Sequence, residues 1–211
     1  MKNGDAFGGY EDGYAGCDCL WGTEPGSLIK TFIESNPKLE RIDVLDLGCG
    51  EGKNAAAFAK SGAKVVAVDC SSRALANGRR AFPDHKIEWH LSDAHQYLSN
   101  LSRSESFDVV VLYGLLHCLS SSGDVAALVR LALEKTRVGG YQFVVVFNSG
   151  PHDLSAHPNF SPVLLPHAFY LELYAQQDVL FASDSILHET HPHNQIPHFH
   201  SLTRMLVRKA R

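Results

Sequence analysis

Apolar runs and helix-like stretches alternate along this chain. Val44–Leu47, Lys64–Asp69 (KVVAVD), Phe107–Tyr113 (FDVVVLY) and Tyr141–Phe147 (YQFVVVF) are short and almost wholly apolar, as strands covered on both faces are. Ile87–Leu91 (IEWHL) alternates and predicts a fifth such strand, third in order. Between them lie segments of helical composition: Asn54–Ser61, ended by Gly62; a helix capped by Ser71-Ser72 and stopped near Phe82 by Pro83; Ala94–Leu101; and Asp124–Lys135, turned by Val138-Gly139-Gly140. Ahead of them, Ser27 to about Glu34 has helical periodicity. Five strand-helix alternations specify a doubly wound α/β sheet with its ligand at the carboxyl ends of the strands.

After the fifth strand, Asn148–Pro166 contains Gly150, Pro151, Pro158, Pro162 and Pro166, too many breakers for regular structure. A helix follows over His167–Gln176, then an antiparallel pair of strands, Ser185–Glu189 and Ser201–Arg208. The expected architecture is one Rossmann-like sheet of seven strands, mostly parallel, with a C-terminal antiparallel hairpin and helices on both faces. Residues 1–211 read as a single domain, with 1–26 an N-terminal arm and 148–166 an insertion. Met1–Gly16, rich in Gly, Asp and Tyr, is expected to be mobile until something binds.

The chemistry concentrates after the first strand, in Asp46-Leu47-Gly48-Cys49-Gly50-Glu51-Gly52-Lys53-Asn54. Glycines let backbone amides approach a ligand, and the following helix N-terminus carries partial positive charge. A dinucleotide fingerprint from Gly48 needs a glycine where Lys53 stands; a P-loop ending at Gly52-Lys53 needs glycine for Leu47 and Ser or Thr for Asn54. Both fail. What remains is acidic-x-G-x-G-x-G, followed by Asp69 at the carboxyl end of the second strand, where a carboxylate can accept both hydroxyls of a ribose.

This pattern resembles the first motif of class I S-adenosylmethionine-dependent methyltransferases. The resemblance implies S-adenosyl-L-methionine as cofactor and S-adenosyl-L-homocysteine as product. It places Asp46 near the ammonium of the methionine end, and Asp93 and the Ala94 amide against the adenine. The cofactor-facing set it implies is Trp21, Asp46, Gly48, Cys49, Gly50, Gly52, Asn54, Asp69, Cys70, Asp93, Ala94 and Tyr113. Asp93 also reads as the N-cap of the next helix. The tyrosine-rich arm leading to Trp21-Gly22-Thr23-Glu24-Pro25 is similar to that of tellurite-resistance-type and thiopurine-type methyltransferases, and the reading takes Tyr10, Tyr14 and Trp21 as a lid.

Past the fourth strand the chain has Gly114-Leu115-Leu116-His117 in place of the N-P-P-Y or D-P-P-Y of nucleobase methyltransferases, which argues against nucleobase amines as acceptors. His117 is the titratable side chain at this edge and a candidate catalytic residue; capping the next helix is its other reading. Arg204 is a second candidate, able to hold an anionic substrate. His188, His191, His193, His198 and His200 crowd the C-terminal region. His198-x-His200 on a strand puts both rings on one face, but no carboxylate or thiolate at ligand spacing completes a set. The expectation is a polar pocket wall and no metal.

Composition narrows the partners. A net charge of -4 gives no broad basic field, which disfavours nucleic acid and favours a small molecule. The five cysteines are odd in number and scattered, as suits reduced thiols, and Cys17-x-Cys19 lacks a second pair. No apolar run reaches the roughly 20 residues of a membrane span, so a cytoplasmic protein, monomer or homodimer, is expected. The function so read is methyl transfer to S, Se/Te, N or O of a small acceptor by in-line displacement. A cofactor-binding sensor without turnover is the alternative; an NAD-type dehydrogenase is disfavoured by Lys53.

Overall fold

The computed structural model describes residues 10–36, 39–157, 160–191 and 195–210. Seven strands form one sheet in the order β3-β2-β1-β4-β5-β7-β6. In chain order they are β1 (Asp43–Leu47), β2 (Lys64–Asp69), β3 (Ile87–Leu91), β4 (Phe107–Tyr113), β5 (Thr136–His152), β6 (Asp178–Glu189) and β7 (His198–Arg208). The helices are α1 (Glu11–Gly16), α2 (Ser27–Ser35), α3 (Lys53–Lys60), α4 (Ser72–Ala81), α5 (Ala94–Asn100), α6 (Ser122–Lys135) and α7 (His167–Leu173). β1 to β5 are parallel, and β7 runs antiparallel between β5 and β6. The chain moves outward from β1 through β2 to β3, then returns to β4 on the other side of β1. The crevice at the carboxyl ends of β1 and β4 is therefore the topological switch point, where sheets of this kind take their ligands.

Period-two alternation sorts the strand side chains between two cores. On one face Leu45, Leu47, Val110, Leu112, Val144 and Val146 pack against α5, α6 and α7 through Leu98, Val125, Leu128 and Tyr170. On the other, Val44, Val65, Val109, Val111 and Phe143 meet Ile29 and Phe32 of α2 and Ala55 and Phe58 of α3. Gln142 lies in the middle of β5 and is fully buried. Its side chain is satisfied by a polar chain: the Tyr174 hydroxyl donates to Gln142 Oε1 at 2.6 Å, Gln142 Nε2 to Thr136 Oγ1 at 2.8 Å, and Thr136 Oγ1 to the Ala132 carbonyl at 2.8 Å.

The structure departs from the sequence expectations at four places. Glu11–Gly16, expected to be mobile, is the helix α1, held through buried Tyr14; residues 1–9 lie outside the described residues. β5 is longer than Tyr141–Phe147 at both ends. In place of the turn expected at Val138–Gly140 the strand is continuous: Thr136 already pairs with Phe107, and a register shift, with Gly139 at φ 78°, takes up the glycines. Beyond Phe147 a second shift carries β5 through Asn148 to His152, which pairs with His200. The irregular insertion is thus shorter than Asn148–Pro166, and Pro158 lies outside the described residues. β6 begins at Asp178, seven residues ahead of Ser185, because as the edge strand it exposes Val179, Leu180 and Phe181 and carries no burial alternation to read there. α7 ends at Leu173, short of Gln176.

Tyr174→Phe leaves Gln142 Oε1 buried without its donor. Urea unfolding is expected to show a loss of about 1–3 kcal/mol, with far-UV circular dichroism of the folded protein unchanged.

Candidate active site

The loop after β1 is built on three glycines in the left-handed region: Gly48 at φ 65°, Gly50 at 55° and Gly52 at 79°. Gly52 precedes α3, and a Cβ on it would stand 2.3 Å from the Trp89 ring, so conformation and space both require glycine. The loop is tied to β2 twice. The Cys49 amide donates to the Val68 carbonyl at 3.0 Å, and the Gly50 amide to Asp69 Oδ2 at 2.8 Å. Asp69 Oδ1 accepts from the Ser71 amide, also at 2.8 Å. Each Asp69 oxygen keeps acceptor capacity for a ligand hydroxyl.

Asp46 lies beneath this loop. It is 1% exposed, accepts from the Ala55 amide, and its Oδ2 has no partner among the described residues. Burial pushes its carboxyl up to about 7, with Asp69 nearby adding to the rise. Asn54 faces the other way: its Oδ1 accepts from the Gly26 amide at 2.9 Å, which ties the start of α2 to the loop.

The arm lies across the crevice. Glu51, 3% exposed, accepts from Asn77 Nδ2 at 2.9 Å, and burial raises its pKa against the opposing pull of Asn77 and of the Leu20 and Trp21 amides. Lys53 Nζ donates to the Trp21 carbonyl at 3.1 Å, and Trp21 Nε1 to the Tyr14 hydroxyl at 3.2 Å. The Tyr10 ring meets Trp21 edge-on at 5.1 Å and Phe160 at 5.0 Å. Glu51 and Lys53 were not legible as anchors because their partners, Asn77 and the Leu20-Trp21 backbone, are remote in sequence.

The resulting cleft has a volume of about 350 Å³. Trp21, Gly48, Cys49, Gly50, Gly52, Asn54, Asp69, Cys70, Asp93, Ala94, Tyr113 and His117 all line it, together with Tyr10, Tyr14, Glu51 and Lys53. Asp93 also caps α5, accepting from the Gln96 amide at 2.9 Å. Two sequence-predicted residues are not in the lining. Asp46 is under the floor, and Arg204 donates to Ser185 Oγ at 3.1 Å on the β6–β7 hairpin. Three lining cysteines are held as thiols: burial, with Asp69 adding to it, pushes Cys70 to about 11 and Cys118 to about 12, and raises Cys49 well above its usual value.

His117 sits in a 3-10 turn, Leu116–Cys118, 2% exposed and stacked on Phe147 at 4.2 Å. Its Nδ1 lies 3.0 Å from the Phe147 amide nitrogen, which donates to it. The neutral ring therefore carries its proton on Nε2, 3.5 Å from the Tyr10 hydroxyl. Burial, reinforced by His200, lowers its pKa to about 3. In this state the ring offers the cleft a donor, and its lone pair is already used by the backbone.

The C-terminal histidines meet a carboxylate after all. Glu189 pairs with His198 across the hairpin, which puts its Oε1 at 3.8 Å from His198 Nε2 and 3.7 Å from His200 Nε2. Sequence spacing could not give this contact, because it depends on the hairpin register. His198 and His200 are both buried on one face of β7, as expected; His188 is exposed, and His193 lies outside the described residues.

Residues 44–140 match the family described as "Methyltransferase domain". A cypemycin N-terminal methyltransferase from Streptomyces sp is 31% identical over 121 residues, 57% of this chain and 48% of that protein. The chain thus spans about half the length of that relative. Among solved structures, TehB from Haemophilus influenzae superposes with a TM-score of 0.68 at 21% identity, over 87% of this chain and 62% of that one. The N-methyltransferase NodS from Bradyrhizobium japonicum, in complex with S-adenosyl-L-homocysteine, gives 0.68 at 14% identity over 98% and 100%. At these identities the likeness to solved structures concerns the fold. No helix among the described residues is long and apolar enough to cross a membrane. Residues 44–140 thus match a methyltransferase domain, and they hold the glycine loop and most of a Rossmann-like seven-stranded sheet.

Proposed function

We propose that this protein is a methyltransferase that binds S-adenosylmethionine and methylates a heteroatom of a small acceptor. The observation that carries the reading is the charge of the cleft: Glu51, Asp69, Asp93 and Glu189 line it, above the buried Asp46. Such a wall repels phosphates and suits a ligand that brings a positive charge and free hydroxyls. The unpartnered Asp46 oxygen and the glycine cradle, which a side chain would fill, fit that cofactor. Asp69 would hold the ribose, Asp93 with the Ala94 amide the adenine, and Asp46 would supply the negative field for the ammonium. When bound, the cofactor supplies an activated methyl group on sulfur.

The chain's own residues then have three tasks. The loop and the three carboxylates orient the cofactor. Tyr10, Tyr14 and Trp21, with Phe160 from the 148–166 insertion, keep water from the acceptor end, so residues 1–26 act as a lid and the insertion as a substrate wall. His117 Nε2 and Lys53 Nζ present donors to the acceptor, and Arg204 adds positive charge at the hairpin. Alignment of this kind can supply on the order of 7–11 kcal/mol of barrier reduction, so no strong base is required. Because His117 is a donor with a low pKa, acceptors that are already nucleophilic near neutrality, such as thiolates and other soft anions, fit better than alcohols. The cypemycin enzyme, whose printed name makes it an N-terminal methyltransferase, keeps amines in the acceptor panel.

Calorimetry with S-adenosylmethionine tests the cofactor site. Asp69→Ala is expected to weaken binding at least tenfold; unchanged affinity would overturn the assignment. The raised Asp46 pKa has a definite sign. The folded state holds that proton more tightly than the unfolded chain, so stability is lost as pH rises through about 7. Urea midpoints should fall between pH 6 and pH 8 by on the order of 1 kcal/mol, and Asp46→Asn should remove that fall. Bound ammonium favours the carboxylate, so cofactor binding at pH 7 should release about half a proton, read from calorimetry in buffers of different ionisation enthalpy. His117→Gln should lower kcat by less than the roughly 10²–10⁴-fold that loss of a general base costs. The pH profile between pH 5 and 9 should keep its shape, and a neutral limb that disappears in the variant would make His117 the base.

A further inference from the structure

The geometry points to a binding site for a divalent transition cation, zinc foremost, formed by His157, His198, His200 and Glu189 beside the acceptor end of the cleft. Donor atoms of His157, His198 and His200 lie within 4.8 Å of one another, as do those of Glu189, His191 and His198. His198 and His200 are the firmest members, because both stand on β7 and hydrogen bonds fix their tautomers.

His198 Nδ1 is 2.7 Å from the Ile196 carbonyl, so it carries the proton and donates. His152 Nε2 is 2.6 Å from the Asn148 carbonyl and also donates, which leaves its Nδ1 bare. His200 Nδ1, 3.3 Å from that bare nitrogen, must then be the donor between them. Each ring therefore turns an unprotonated Nε2 inward. Both Nε2 atoms are buried, and neither has a hydrogen-bond partner among the described residues.

Both face Glu189 Oε1, at 3.8 and 3.7 Å. Two bare nitrogens and a carboxylate directed at one another are three acceptors with no donor between them. A cation satisfies all three. Zinc with donors at about 2.0–2.1 Å places tetrahedral ligands about 3.4 Å apart, so Glu189 Oε1 needs to close on each imidazole nitrogen by less than about half an ångström.

Imidazole with one carboxylate is a donor set for zinc-like ions and a poor one for magnesium or calcium. The supports are those that metal-binding histidines use: the second ring nitrogen of His198 donates to a backbone carbonyl, that of His200 donates to His152, and Phe147 stacks on His200 at 4.1 Å. A surface recess lined by Asp153, Glu189, Pro197 and His198 gives an ion access from solvent, while Glu189 also lines the cofactor cleft. That place gives the ion a task, holding an anionic acceptor such as a thiolate. The task rests on the methyl-transfer reading, whereas zinc binding does not.

The test titrates Zn²⁺ into the full chain, stripped with chelator and free of S-adenosylmethionine, against a chromophoric competitor. One tight equivalent per chain is expected. His198→Gln and His200→Gln should each weaken it by more than the roughly 10–100-fold that loss of an outer-shell partner costs. His95→Gln, exposed on α5, should leave it unchanged. Circular dichroism of the metal-free variants checks that they fold; should either fail, zinc-edge X-ray absorption of the loaded wild type decides, with imidazole scattering and no sulfur expected. Equal affinity in all variants, no tight equivalent, or a sulfur signature would overturn the site. Zinc binding without affinity for S-adenosylmethionine would keep this inference and remove the functional one.

Discussion

The fold's working end depends on one pair of hydrogen bonds, those that Asp69 accepts from Gly50 and Ser71. They join the loop after β1 to the end of β2, while the left-handed glycines allow the loop to reach them. Neither part suffices alone: without the glycines the backbone cannot turn, and without the carboxylate the turned loop has nothing to hold its amide. The charged acceptor makes these bonds stronger than neutral ones, at the cost of burying charge, and burial raises the Asp69 pKa despite both donors. The loop is thus formed before a ligand arrives, so little ordering entropy remains to be lost on binding.

Around this rigid floor the rest of the cleft is assembled from distant parts of the chain. Lys53 holds the Trp21 carbonyl, Glu51 holds Asn77, and Asn54 holds Gly26. The arm and the start of α2 are therefore positioned by the same short segment that shapes the cleft floor. On the far side an aromatic and imidazole belt runs from Tyr10 through Phe160, His117 and Phe147 to His200, each ring against the next. Rings of this kind are stiff, and hydrogen bonds from the Phe147 amide to His117 and between His152 and His200 fix the tautomers.

Most of the sheet was legible because burial on two faces leaves an unmistakable pattern: β1, β2 and β4 fall where their apolar runs fall, and the half-exposed β3 where its alternation falls. β6 was half missed, since Val179, Leu180 and Phe181 are exposed at an edge and follow no periodicity. The ends of β5 were missed because register shifts, set by pairing with β4 and β7, leave no mark in composition. Within the site, the place of the glycines, Asp69 and Asp93 on the cleft wall could be read because they stand at or just past strand ends. Asp46 stands one layer deeper than its motif position suggests. The proton position on His117 depends on the Phe147 amide, and the contact of Glu189 with the histidines on the hairpin register; neither is a property of neighbouring residues. Lys53 and Asn54 looked like failures of other motifs and are anchors.

Cys49, Cys70 and Cys118 place three sulfur atoms on the cleft wall. Thiolate is the nucleophilic form of cysteine, and a cleft that receives an alkylating sulfonium would be consumed by its own wall if thiolates lined it. Burial, with the negative field of Asp69 adding to it, keeps these protons in place, Cys70 being the exposed member of the three. Under the proposed methyl transfer, burial and the carboxylate that shapes the loop would together keep the wall cysteines from competing for the methyl group.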